Sequence, residues 1–104
     1  MAITDFYNKT TKNITATITY NSANPDITSD TVTIYFKNID TGSIGITKEA
    51  DVTGGSSGAA SFELDTTDTN VTSSRYHVLI KWVSATYGTF IFDEGDVMIW
   101  DNFT

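Results

Sequence analysis

Apolar and polar residues alternate with a strict period of two along most of this sequence. Residues 13–20 place Ile14, Ala16, Ile18 and Tyr20 on one side and Thr15, Thr17 and Thr19 on the other. Residues 31–37 do the same with Val32, Ile34 and Phe36 against Thr33, Tyr35 and Lys37. In an extended chain successive side chains point to opposite faces, so this pattern buries one face of a strand. Wound on a helix it would scatter the apolar groups around the axis. Composition points the same way, with nineteen threonines, eleven isoleucines and six valines against two leucines. β-Branched side chains suit a pleated sheet, and the residues that favour helices are scarce. The chain reads as all-β.

Turn formers divide the strands. Asn21-Ser-Ala-Asn-Pro-Asp26 ends the first one, because Pro25 pushes Asn24 out of helical geometry. Ile27 follows as a plug for one end of the domain. Residues 38–43 read as a hairpin loop in which Asp40 and Gly42 supply the local hydrogen bonds and positive φ of a tight reversal. Strands over 44–52 and 59–65 flank Gly54-Gly-Ser-Ser-Gly58, which is expected to be a flexible hairpin loop turned to solvent. Residues 66–70 are expected to make a crossing loop between strands. Residues 75–83 carry apolar groups on both faces, as a central strand does. The last alternating stretch is interrupted at Asp93-Glu-Gly-Asp96, where Gly95 marks a bulge or kink. Seven or eight strands of this length predict a β-sandwich or small barrel. It would fill residues 1–104 as one domain, with a short N-terminal arm (1–11) and a C-terminal tail (101–104).

Charge and composition exclude several functions. Thirteen acidic against six basic side chains give a net charge of −7. A nucleic-acid-binding domain needs a basic stripe, whereas Lys9, Lys12, Lys37, Lys48, Arg75 and Lys81 are scattered, so no nucleic-acid partner is expected. The chain has no cysteine, which excludes disulfides, thiolate metal sites and thiol catalysis. No apolar run approaches the ~20 residues of a membrane helix, and the opening MAITDFYNKT lacks a basic segment followed by an apolar one. No membrane partner is expected, and release in the cytoplasm of the cell that makes the protein is.

Few residues offer chemistry. His77 has a neutral-range imidazole, but no nucleophile motif accompanies it, and it reads as a surface or structural histidine. Asp93, Glu94 and Asp96 form an oxygen-rich group that could hold calcium if a second loop converged on it, although they do not follow the spacing of a calcium loop. Tyr20, Tyr35, Tyr87 and Trp100 could stack on sugars if exposed together. No catalytic residue, cofactor or enzymatic activity is expected. The chain ends are more telling. Ile3, Phe6 and Tyr7 precede the first strand, and Met98, Trp100 and Phe103 close the chain. Ends are normally polar and frayed, so apolar ends call for a cover, either the domain's own edge or a neighbouring subunit.

One segment carries a family resemblance. Val71-Thr-Ser-Ser-Arg-Tyr-His-Val-Leu-Ile80 is similar to the turn and strand of an immunoglobulin-like sandwich in which a tyrosine hydroxyl bonds back to the upstream loop; Tyr76 is the matching residue. The order of the flanking strands, over roughly residues 12–100, resembles the small immunoglobulin-like domain at the N-terminus of phage baseplate upper proteins and in stand-alone phage virion proteins. Ser73-Ser74 replaces the usual Pro or Gly of that turn. The resemblance implies an immunoglobulin-like β-sandwich of seven to eight mostly antiparallel strands. It further implies a structural role in the virion, as a tail or baseplate component or a capsid decoration, with partners that are copies of itself or a larger virion protein. The alternative is an adhesin-like module binding carbohydrate or calcium. On the assembly reading, Ile3, Phe6, Tyr7, Met98, Trp100 and Phe103 are the contact residues, and removal of residues 1–8 or 101–104 is expected to leave a folded domain that no longer associates.

Overall fold

The structure, a computed structural model, describes residues 3–102. Its seven strands are β1 (Phe6–Tyr7), β2 (Lys12–Thr17), β3 (Thr31–Asn38), β4 (Ile44–Glu49), β5 (Ala59–Leu64), β6 (Ser74–Ser84) and β7 (Gly88–Trp100). Five form a sheet in the order β1-β7-β6-β3-β4, and β2 pairs with β5 in a second. All pairings are antiparallel except that of β1 on β7. Just beyond β4, Asp51 and Ser61 exchange backbone hydrogen bonds of 2.8 and 3.0 Å, so the large sheet curls over into the small one at that edge.

Alternation decides what lies between the sheets. On β6 Tyr76, Val78, Ile80 and Trp82 point inward and are all but fully buried. They meet Val32, Ile34 and Phe36 of β3 and, across the gap, Ile14 and Ala16 of β2 and Ala60, Phe62 and Leu64 of β5. β6 lies between β3 and β7, the central position that its two apolar faces predicted. Trp82 anchors one end of this core. Its indole N–H donates to Asp30 Oδ2 at 2.8 Å, its ring stacks on Phe90 at 5.2 Å, and Tyr20 and Tyr87 close around it. Ile27 is completely buried at the same end, as a plug should be.

The glycine-rich loop departs from expectation. Gly55–Ser57 form a 3₁₀ turn in which Gly55 is buried, and Gly58 is buried beside it. Ile27 N–H donates to Gly55 O at 2.9 Å, and Ile18 N–H to Gly58 O at 2.7 Å. Gly58 has φ +82°, and a Cβ there would lie 2.5 Å from Ile18 O. These glycines therefore serve close packing of the loop against Ile18 and Ile27. Nor is the loop a hairpin, because β4 and β5 belong to different sheets, bridged just beyond β4 by Asp51 and Ser61. A five-residue string of small side chains reads as flexible when its neighbours in space are unknown.

The break near the end of the chain is a bulge inside one long strand. β7 runs unbroken through Gly95, whose φ is +81°, while its register with β6 slips between His77 and Leu79. The N-terminal arm is tied down as well. Ile3 and Phe6 are buried, and Phe6 sets its ring edge-on to Phe36 at 6.0 Å.

Candidate interaction surface

The outer face of the five-stranded sheet collects the inverse set of alternating residues. β3 contributes Tyr35, β6 Leu79 and Val83, and β7 Ile91, Met98 and Trp100, with Tyr7 of β1 lying beside Trp100 in register. Tyr7 is 56% exposed, Trp100 48% and Ile91 65%. Half of the six basic residues, Lys37, Arg75 and Lys81, also lie on this face, interleaved with Glu49, Asp93 and Asp96. On a chain of charge −7 this face is thus close to neutral, and the excess of acid lies elsewhere. A neutral, aromatic-rich surface on an otherwise anionic body is what a protein contact requires, since charge is what interface centres shed first.

His77 sits in the middle of the face between two carboxylates. Its Nδ1 is 2.6 Å from Asp96 Oδ1, and its Nε2 is 3.1 Å from Asp93 Oδ2. The bulge makes this possible, because it brings Asp93 and Asp96 to flank one ring. Asp93 Oδ1 also accepts the Gly95 N–H at 2.9 Å, which braces the bulge. With a carboxylate at each nitrogen, the arrangement is satisfied when both nitrogens carry protons. The bond to Asp96, chiefly, and the charge of Asp93 hold the imidazole above its ordinary range, against a smaller desolvation effect. The Gly95 N–H and the imidazolium hold Asp93 below the ordinary carboxylate range.

The sign of the resulting pH dependence follows. A folded-state histidine pKa raised above 6.5 stabilises the fold fully below that value and loses its effect as pH rises through the folded pKa. The depressed Asp93 loses its own contribution only in acid. Thermal melts of the parent and His77→Gln should therefore differ more at pH 6 than at pH 9, with the parent the more stable at pH 6. An equal difference at both pH values would remove the clamp from the account. The three groups are largely solvated, so the effect is small.

The other candidate residues are divided. Asp93 and Asp96 approach opposite edges of the His77 ring, and among the described residues no group of three His, Cys, Asp or Glu is placed to hold a metal ion. Glu94 lies at the bulge between them. Tyr76 donates its hydroxyl to the Thr72 carbonyl at 2.6 Å, and burial pushes its phenol up. Tyr20 and Tyr87 belong to the Trp82 end and Trp100 to the far end of β7, so the aromatic residues make no single platform. Of the six expected contact residues, Ile3 and Phe6 are taken by the core, because the parallel pairing of β1 with β7 turns them inward. Tyr7 and Trp100 face outward, Met98 is half-buried, and Phe103 lies outside the described residues. Reading the sequence did not single out Ile91 as a surface residue. In a strand with apolar side chains on both faces, nothing local tells the buried row from the exposed one.

At the end of the domain opposite Trp82, Asn8, Lys9, Asn70, Val71, Thr72, Ser73 and Asp101 line an open polar hollow of about 490 Å³. Among the described residues no helix is long and apolar enough to cross a membrane. No protein-family model matches the chain, and a search of curated proteins finds no relative.

Proposed function

We propose that the chain is an immunoglobulin-like β-sandwich that acts without catalysis, as a structural protein of a phage particle that assembles through its outer sheet face. The sheet order supports the fold assignment. With β2, β3, β4, β5, β6 and β7 in the places of strands B, C, C′, E, F and G, the first strand lies parallel on the last, and Tyr76, near the start of F, bonds back to its loop. The virion setting comes from the strand-and-turn resemblance around Tyr76.

The observation that carries the assembly reading is the pair Tyr7 and Trp100, adjacent aromatics left half-exposed on a nearly neutral face. Aromatic side chains of this kind supply most of the energy of protein contacts. His77, the one imidazole, offers a base no free nitrogen, since both face carboxylates. The double variant Tyr7→Glu/Trp100→Glu should fold as the parent does, because both side chains are exposed. It should lose incorporation into the particle, with a fall in affinity of roughly thirtyfold or more if the pair is a hot spot worth about 2 kcal/mol. Incorporation at the parental level would overturn the reading.

A further inference from the structure

Among the described residues, the side of β7 away from β6 is paired by β1 at Ile99 and Trp100, and Asp5 Oδ1 accepts the Met98 N–H at 2.9 Å. Among the described residues no strand lies along this side of the backbone from Gly88 to Asp93. Unpaired edge backbone is a template for another strand, and proteins normally shorten, charge or cover it. Here the stretch reads Thr89-Phe-Ile-Phe-Asp93, and its centre, Ile91, is the most exposed large apolar side chain described, at 65%.

We propose that residues 89–93 pair antiparallel with the same residues of a second copy about a two-fold axis at Ile91, joining the two five-stranded sheets into one. This rests on the assembly reading and names the partner at this edge. The register comes from the side chains. A two-fold axis normal to a sheet keeps each face on its own side, so only residues of the same face can stand opposite one another. Centred on Ile91, the pairing sets Ile91 against its own copy, Phe90 against Phe92 and Thr89 against Asp93. Aromatic and β-branched pairs are the favourable cross-strand combinations, and no like charges meet. Centring on Phe92 would set Ile91 against Asp93 and Phe90 against Glu94, and centring on Asp93 would set carboxylate against carboxylate. Centring on Phe90 would draw Tyr87 and the hairpin tip against Asp93. The register at Ile91 is therefore preferred, and it stops where the bulge bends the strand away. Each copy carries −7, so added salt should strengthen the pairing.

The absence of native cysteine makes the test direct. Single-thiol variants Ile91→Cys and Thr47→Cys, the latter on the exposed face of the opposite edge strand, are oxidised under mild conditions at micromolar protein. Residues directly opposite across an antiparallel pair have Cβ atoms about 5 Å apart, a gap that small motions bring within disulfide reach. Paired thiols act at millimolar effective concentration, so Ile91→Cys should cross-link roughly tenfold or more faster than Thr47→Cys. A mixture of Thr89→Cys and Asp93→Cys should give the mixed disulfide ahead of either homodimer. Ile91→Lys, with an unchanged circular dichroism spectrum, should sediment as a monomer where the parent is a dimer. Equal cross-linking of Ile91→Cys and Thr47→Cys would overturn the inference. If the parent then still sediments as a dimer, the edge is wrong and self-assembly stands. If the parent is a monomer, the edge is wrong and the assembly reading depends on the Tyr7 and Trp100 variant alone.

Discussion

Trp82→Ala should be the most damaging single substitution in the domain, costing about 3–5 kcal/mol, the range for deleting a buried aromatic side chain. The indole is fully buried, shares ring contacts with Tyr20, Tyr87 and Phe90, and donates the hydrogen bond that Asp30 accepts. Truncation leaves a cavity at the end of the core and removes the donor from Asp30. Against a total stability of about 5–15 kcal/mol for a domain of this size, the variant should unfold at least about 12 °C below the parent, taking about 4 °C per kcal/mol. Urea titration followed by far-ultraviolet circular dichroism measures the loss. Trp82→Phe should fall between the two, since it keeps a ring in place and gives up only the N–H donor and part of the contact area. The remaining tryptophan, Trp100, is half-exposed, so the emission of Trp82→Ala should shift to longer wavelength. A loss below about 1 kcal/mol, the size of a routine substitution, would contradict the packing described for this end.

Removal of residues 1–8 should be more severe still, contrary to what the apolar N-terminus suggested when read as a detachable arm. It takes away Ile3 and Phe6, both buried, each worth about 1.5–3 kcal/mol by burial. It also removes a set of hydrogen bonds that hold the end of β7. Asp5 accepts the Met98 N–H, and the Asn8 backbone N–H donates to Trp100 O at 2.8 Å. The Asn8 side chain, itself buried, donates to Val71 O and accepts from Asn102 N–H, both at 2.8 Å. At about 1 kcal/mol net for each bond, the total approaches the stability of the whole domain. The truncated chain should therefore be largely unfolded at room temperature, with narrow amide proton dispersion in its NMR spectrum. Cooperative melting within a few degrees of the parent would contradict this account. A loss of assembly in the truncated chain says nothing about contact residues, which is why the surface substitutions at Tyr7 and Trp100 are the sound test.

Both predictions depend on contacts that the sequence does not display. Trp82 was legible as a core residue because it falls on the inward row of a strongly alternating strand. Of its partners, Phe90 and Tyr87 come with the β6–β7 hairpin, whereas Tyr20 and Asp30 come from distant segments that only the tertiary fold brings to it. Ile3 and Phe6 were legible as residues needing a cover, but not whose cover it would be. That choice turns on whether a two-residue strand finds a parallel partner in β7, a pairing between the two ends of the chain. His77, Asp93 and Asp96 were each singled out separately, the histidine as a surface group and the acids as oxygen ligands. Their meeting depends on the register shift opposite His77, which no local pattern records.

The period of two, read with the β-branched composition, was enough to establish an all-β chain, the central position of β6, the plug at Ile27 and the bulge at Gly95. These are consequences of short-range geometry, in which neighbouring side chains must point to opposite faces and glycine alone adopts certain angles without strain. Tertiary structure alone decided which apolar row faces out, that the glycine loop packs against Ile18 and Ile27, and that Phe6 is core while Tyr7 is surface. Among the described residues it also left β7 without a partner strand on one side over residues 89–93. Those outcomes depend on which strands become neighbours. Strand pairing is set by contacts between distant segments, and the same alternating pattern is compatible with many pairings.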